Sequence, residues 1–338
     1  IGQIGIACGL VLMSLTGPSD LFILSCCAFL VAFSSATQDV AIDAFRIESA
    51  EPEYQGAMSA AYVFGYRLSL LLAGAGALYL AEYFSWAVAY NIMATLMIVG
   101  MVTVILVAEP DRQFESFPLE FSVIGLRQWF TRAVAGPFVD FFSRNGKVAF
   151  TILLFIAVFR LSDIAMGIMA NPFYLDMGYS KIEIANVAKV FGFFMSIAGS
   201  LICGVLVVKW GLMRPLLVGA VAVSVTNLLF ASLSVLEPKV SYLAIVISAD
   251  NLSGGFAATA FIAYLSSLTN RSYTATQYAL FSSLMTLPGK FISGFSGLVV
   301  DKLGYFEFFV VAAMLGIPAI LLVVLLSRYE RAQLASQP

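Results

Sequence analysis

The stretch Ala57–Ala81, AMSAAYVFGYRLSLLLAGAGALYLA, decides the fold class. It runs for 25 residues with a single charge, Arg67, near its middle. At 1.5 Å per residue such a helix is longer than the roughly 30 Å of hydrocarbon in a bilayer. A helix on the surface of a soluble protein would show a polar face; here apolar and small residues go all the way round. Ala73-Gly74-Ala75-Gly76-Ala77 sets small side chains at the close spacing that lets membrane helices approach one another. This segment reads as a membrane span.

Working outward, the same ruler gives ten spans: 1–17, 21–45, 57–81, 86–108, 148–172, 184–208, 215–236, 241–268, 277–300 and 306–326. The chain of 338 residues is 61% hydrophobic and 11% charged, with a mean hydropathy of +0.95. A soluble domain carries about a quarter charged residues, so this surface faces something apolar, the lipid bilayer. The fold class expected is an all-α polytopic membrane protein. A net charge of −2 offers no basic patch to nucleic acid. Cys8, Cys26, Cys27 and Cys203 lie inside apolar runs, where a thiol acts as a small hydrophobe. There is no His, the commonest general base and metal ligand. A Ser–His dyad, a metal cluster and a Gly-x-Gly-Asp pair are all missing from the sequence. Transport is therefore expected rather than catalysis, with no cofactor and no metal.

The spans fall into two groups. Residues 1–108 hold four and 148–326 hold six, with a linker at 109–147 and a polar tail at 327–338. The linker sets Arg112, Arg127, Arg132, Arg144 and Lys147 among Phe121, Trp129, Phe138, Phe141 and Phe142, which suits an interfacial amphipathic helix. It reads as a connector between bundles, with a regulatory role as the other reading. Alternate connections carry eleven Lys and Arg against three on the opposite side, so the linker and C-terminus are expected in the cytoplasm. A repeat supports the grouping. Gln55-Gly-Ala-Met-Ser and Gln277-Tyr-Ala-Leu-Phe-Ser each open a span, and a mid-span cation follows, Arg67 after twelve residues and Lys290 after thirteen. Two parallel six-helix halves are the expected plan, with two helices missing before Ile1.

Eight ionisable groups lie within spans: Asp39, Asp43, Arg67, Arg160, Asp163, Lys189, Asp250 and Lys290. Each would cost about 2.5–3.5 kcal/mol unpaired at mid-helix, so they must pair or face a watery cavity. Arg67, Arg160 and Lys290 sit at mid-span on three helices and are the expected substrate-binding cations around a central cavity. Asp163 is one turn from Arg160 on the same face. Asp39, Asp43 and Arg46 form a stripe, in which Asp43 and Arg46 suit a gate or packing salt bridge as well as a substrate role. Lys189 joins that gate class. Asn251, Gln277 and Gln38 are further candidates for substrate contact. Without His the proton carrier must be a carboxylate: Asp163, Asp250 or Asp39, with Asp43 a further candidate.

Two segments, Gly204-Val-Leu-Val-Val-Lys209-Trp-Gly211 and Gly297-Leu-Val-Val-Asp301-Lys302-Leu-Gly304, resemble the G-x-x-x-D-R/K-x-G motif of the major facilitator superfamily. Val208 replaces the Asp in the first copy. In this motif Gly permits tight turning and close packing, and the charges cap helix ends. Further segments together resemble the AmpG family of muropeptide permeases: Gln38-Asp39-Val-Ala-Ile-Asp43-Ala-Phe, Gly65-Tyr66-Arg67, Pro137-Phe-Val-Asp140-Phe-Phe-Ser-Arg144-Asn145, Asn251-Leu-Ser-Gly254-Gly255 and Ala275-Thr276-Gln277-Tyr-Ala-Leu. The resemblance implies a monomeric, proton-driven importer of N-acetylglucosaminyl-1,6-anhydro-N-acetylmuramyl peptides in the bacterial inner membrane, serving cell-wall recycling. Asp39, Asp43, Arg67, Asp163 and Gln277 match the family's residue types, while Arg160 and Lys290 exchange Arg and Lys. Acetyl-coenzyme A transporters are a more distant resemblance and imply a different anionic solute.

Overall fold

A computed structural model describes residues 1–17, 20–108 and 131–335, and every regular element among them is helical. The first stretch holds α1 (Gly2–Leu15), α2 (Leu21–Glu48), α3 (Gln55–Leu71), α4 (Ala77–Tyr83) and α5 (Trp86–Leu106). After the linker come α6 (Gly136–Asn145), α7 (Ala149–Phe159), α8 (Leu161–Asp176), α9 (Lys181–Ile184), α10 (Gly192–Trp210) and α11 (Met213–Leu233). The chain continues through α12 (Val240–Leu268), α13 (Thr274–Ser293), α14 (Ser296–Leu303), α15 (Tyr305–Met314) and α16 (Ile317–Ala335). Nine helical runs among the described residues are long and apolar enough to cross a membrane, and Gly2–Leu15 is a shorter apolar helix. Each of the ten expected spans thus corresponds to a helix. Of the linker's expected amphipathic helix, residues 109–130 lie outside the described residues; α6 is the described part.

Several spans are interrupted helices rather than single rods. α7 and α8 form one run broken at Arg160, whose backbone sits at φ −96° and ψ 5°. A π-helical turn at Leu72–Gly76 joins α3 to α4, and another at Ala185–Phe191 joins α9 to α10. Pro172 and Pro288 lie inside α8 and α13, which membrane bundles tolerate because neighbours satisfy the freed carbonyls.

The chain divides into two compact units, Ile1–Ala50 with Gly65–Phe117, and Glu51–Phe64 with Pro118–Pro338. In the first, α1 packs on α2 and α5, and Gly5 and Gly9 let α1 settle onto Ser34 and Val31 of α2. In the second, the closest helix pair is α10 with α12. A Cβ on Gly199 would collide with the Leu252 carbonyl, and one on Gly255 with the Ser196 carbonyl, so these backbones touch. Phe173, Phe230 and Phe309, all fully buried, form the aromatic centre of its core. The segment Glu51–Phe64 groups with the second unit, although the expected first bundle ran unbroken from 1 to 108. It packs closely on α10: a Cβ on Gly204 would lie 2.8 Å from the Ala60 Cβ and 3.3 Å from the Gly56 carbonyl.

The two motif copies end as their glycines require. Gly211 and Gly304 stop their helices at φ +74° and +89°, a conformation that side chains with a Cβ resist. Close packing holds for Gly204 against Ala60 but not for Gly297, which has open space where a Cβ would be.

Candidate functional site

Two in-span charges of the second unit, Arg160 and Asp163, meet at the break between α7 and α8. Ending α7 at Arg160 turns its guanidinium to Asp163 in the first turn of α8, with Nη2 2.6 Å from Oδ2. Each side chain keeps about a third of its surface open, 32% and 31%. The pair borders a cavity of about 10 Å³, also lined by Ser162, Ser224, Gly254 and Ala257. That is space for one water and none for a sugar or peptide. Below it, fully buried Asn227 donates to Ser162 Oγ at 2.7 Å, and Ser162 donates to the Ala312 carbonyl at 2.7 Å. The sequence candidates, the ionisable groups with Gln38, Asn251 and Gln277, did not include this pair. The signal was an Asn inside the apolar run 215–236.

The other candidates of this unit are placed as follows. Lys189 sits in the π-helical turn, exposed, and donates to Asn171 Oδ1 at 3.2 Å. Lys290 is exposed two residues after Pro288, and Gly289 beside it seats α13 on Ile164 of α8. Asp250 is half-buried on α12. Asn251 donates to the Ile247 carbonyl at 3.1 Å and fills the groove over Gly192.

Gln277 is 1% exposed, and its amide is engaged by the fold itself. It donates to Asp140 Oδ2 at 2.8 Å and to the Pro137 carbonyl at 2.9 Å. Its Oε1 accepts from the Asn270 backbone at 2.8 Å and from Arg144 Nη2 at 3.2 Å. Arg144 also binds Asp140 at 2.9 Å and the Leu268 carbonyl at 3.1 Å, and Asn270 Nδ2 donates to Asp140 Oδ1 at 2.9 Å. This node fastens α6 to the α12–α13 hairpin. Asp140 and Arg144 stand i, i+4 on α6, a spacing that signals a pair but names none of its partners in α12 and α13.

In the first unit the stripe on α2 holds Asp39 exposed, Asp43 buried and Arg46 buried. Arg46 Nη2 lies 3.6 Å from Asp43 Oδ1, with side-chain exposures of 4% and 13%. Gln38 is half-buried beneath Gly2 of α1. Arg67, half-buried, lies on α3 in the part that belongs to this unit. Among the described residues no group of three or more Cys, Asp or Glu could hold a metal ion.

Comparison with known proteins gives this geometry a context. The family profile described as Major Facilitator Superfamily matches residues 1–293. Putative transporter AmpG 4 of Rickettsia conorii (strain Malish 7) is 35% identical over 300 residues, 88% of this chain and 71% of that protein. Anhydromuropeptide permease of Escherichia coli (strain K12) is 31% identical over 297 residues, 87% of this chain and 58% of that protein. Among solved structures, the proton:xylose symporter XylE bound to 6-bromo-6-deoxy-D-glucose shares the fold, with a TM-score of 0.68 at 11% identity. That match covers 94% of this chain and 78% of the symporter.

Proposed function

The chain belongs to the AmpG transporters of the major facilitator superfamily, and from that premise we propose that it imports anhydro-muropeptides across a bacterial inner membrane, driven by protons. One observation carries the reading: 87% of the chain aligns at 31% identity with a protein named for that permease activity. In-span cations suit the substrate class. A muropeptide presents a peptide C-terminus and acidic side chains, and a guanidinium meets a carboxylate with two parallel hydrogen bonds. Arg67, Arg160 and Lys290 are the proposed carboxylate ligands, with Asn251 and Gln38 as lesser contacts. Gln277 supports the site from the α6 node rather than by touching substrate. Asp43, Arg46 and Lys189 serve as gate or packing groups. The protein acts as a carrier and not as an enzyme, with its linker and C-terminus in the cytoplasm.

Coupling follows from the same charges. When substrate engages Arg160, Asp163 loses its counter-charge and can accept a proton. Asp250 and Asp39 are the other carriers to test. One net charge moving through 100 mV supplies about 2.3 kcal/mol, roughly fiftyfold accumulation of a substrate moved without other charge. The deciding experiment is uptake of labelled anhydro-muropeptide by cells that lack their own permease and express the protein. Uptake abolished by an uncoupler is expected; no uptake by a protein that reaches the membrane would refute the substrate. Arg67→Lys keeps the charge and loses the fork, so its uptake should fall well below wild type. Replacing the true carrier with Asn should abolish uphill uptake and leave counterflow exchange partly intact.

A further inference from the structure

Two interrupted spans of the second unit meet beside α11. One is broken at Arg160, between α7 and α8. The other is broken between α15 and α16, where Gly316 and Pro318 follow one another closely. Pro318 has no N–H to give, and the Gly316 N–H bonds the Ala313 carbonyl at 3.0 Å, one residue short of an α turn. The Ala312 carbonyl accepts the Ser162 hydroxyl at 2.7 Å. Gly316 and Ala319 of one break line the same water-sized cavity as Arg160 and Asp163 of the other. A Cβ on Gly316 would collide with Ser224 Oγ, so a bare backbone there is what lets α11 approach.

Asn227 stands one turn beyond Ser224 on α11, fully buried, and its Nδ2 donates to Ser162 Oγ at 2.7 Å. Its Oδ1 has no hydrogen-bond partner among the described residues. A buried acceptor left so is costly, and a leucine of similar size would avoid that cost. What asparagine supplies and leucine lacks is the donor to Ser162. The Ser162 hydroxyl is thus held from both sides, by Asn227 of α11 and by the Ala312 carbonyl of α15. Ser162 immediately precedes Asp163 in the first turn of α8. Successive residues on a helix stand 100° apart, so pinning Ser162 also sets the direction of Asp163.

We propose that Asn227 is a positioning residue for the Arg160–Asp163 pair. Through Ser162 it ties the two breaks together and aims the Asp163 carboxylate at the guanidinium. Neither member of the pair is packed in place, with about a third of each side chain open, so the backbone of the break sets the 2.6 Å between them. The one polar group buried deep in α11 is then tuned to a charge pair that it never touches. That the pair serves transport rests on the function proposed above; its positioning by Asn227 does not.

The test reads Asp163 directly, in the full chain reconstituted in phosphatidylcholine vesicles without substrate. Dicyclohexylcarbodiimide reacts with protonated carboxyls in apolar surroundings, and mass spectrometry locates the adduct. A carboxylate deprived of its cation takes up a proton more readily, so labelling at Asp163 reports the loss of Arg160. Arg160→Ala sets the scale, with labelling at neutral pH expected to rise several-fold over wild type. Asn227→Leu and Ser162→Ala should each rise towards that level, while Ser162→Thr, which keeps the hydroxyl, stays near wild type. Leu243→Ala, which hollows the fully buried core near the start of α12, should lower the melting temperature without raising the label. The proposal is overturned if Arg160→Ala, or both Asn227→Leu and Ser162→Ala, label like wild type. It is equally overturned if Ser162→Thr labels as heavily as Ser162→Ala, or if Leu243→Ala matches them, which would mean general loosening. Should Asn227→Leu fail to fold, the two Ser162 variants decide. None of these readouts involves uptake, so a failure of the substrate reading leaves them intact.

Discussion

Two ion pairs share the same i, i+3 spacing on a helix, Asp43 with Arg46 in the first unit and Arg160 with Asp163 in the second. The first is shut in, at 3.6 Å with side-chain exposures of 13% and 4%; the second is tight at 2.6 Å and a third open. The difference lies in what surrounds them. Asp43 and Arg46 ride an unbroken helix, with buried Ile47 following. Arg160 instead ends one helix, and its partner opens the next beside a water-sized cavity. Spacing supplies a pair, whereas the surroundings decide whether it is a fixed part of the fold or a group free to exchange partners.

The largest effect should come from splitting the closed pair. Arg46→Ala leaves a buried carboxylate, and the loss should be about 3–5 kcal/mol, read as thermal unfolding of purified protein. A loss below about 1 kcal/mol would show that this pair is as solvated as the other. Replacing both members, Asp43→Leu with Arg46→Met, should recover that loss, ending neutral or up to about 1–4 kcal/mol more stable than wild type. A double variant as unstable as Arg46→Ala would mean that the pair orders its neighbours and does more than neutralise itself. The smallest effect belongs to the open pair. Arg160→Ala should cost less than splitting the closed pair, at most the roughly 2.5–3.5 kcal/mol of one unpaired charge within a span, while transport is lost. A large stability loss there would erase the contrast and return Arg160 to a structural role.

Much of the fold was open to reading in advance. Among the described residues each of the ten apolar runs became helical, several of them interrupted, because in lipid the backbone has to satisfy itself within the segment. The motif glycines Gly211 and Gly304 announced tight turns, and both end their helices at positive φ, while the Arg160–Asp163 pairing followed from a three-residue spacing. Other features depended on residues far away in the chain. Gln277 opens an apolar helix as a cavity-lining residue would, and only the approach of Asp140, from 137 positions earlier, makes it a clamp. The grouping of Glu51–Phe64 with the second unit hangs on Gly204, and no local pattern in α3 reports it. Hydrophobic period also cannot show where a helix is broken, since apolar runs resume on both sides of Arg160-Leu-Ser-Asp163.

The π-helical turns at Leu72–Gly76 and Ala185–Phe191 bear on how these spans tolerate change in length. A bond from i to i+5 encloses one residue more than an α turn does, so each segment carries a spare residue. Losing one residue from an ordinary membrane helix swings everything beyond it by about 100°. Losing one inside 72–76 or 185–191 can instead be absorbed by tightening the turn to α, with the faces of α4 and α10 keeping their directions. Single-codon deletions along this gene should therefore be survivable at these two places and ruinous a turn or two away.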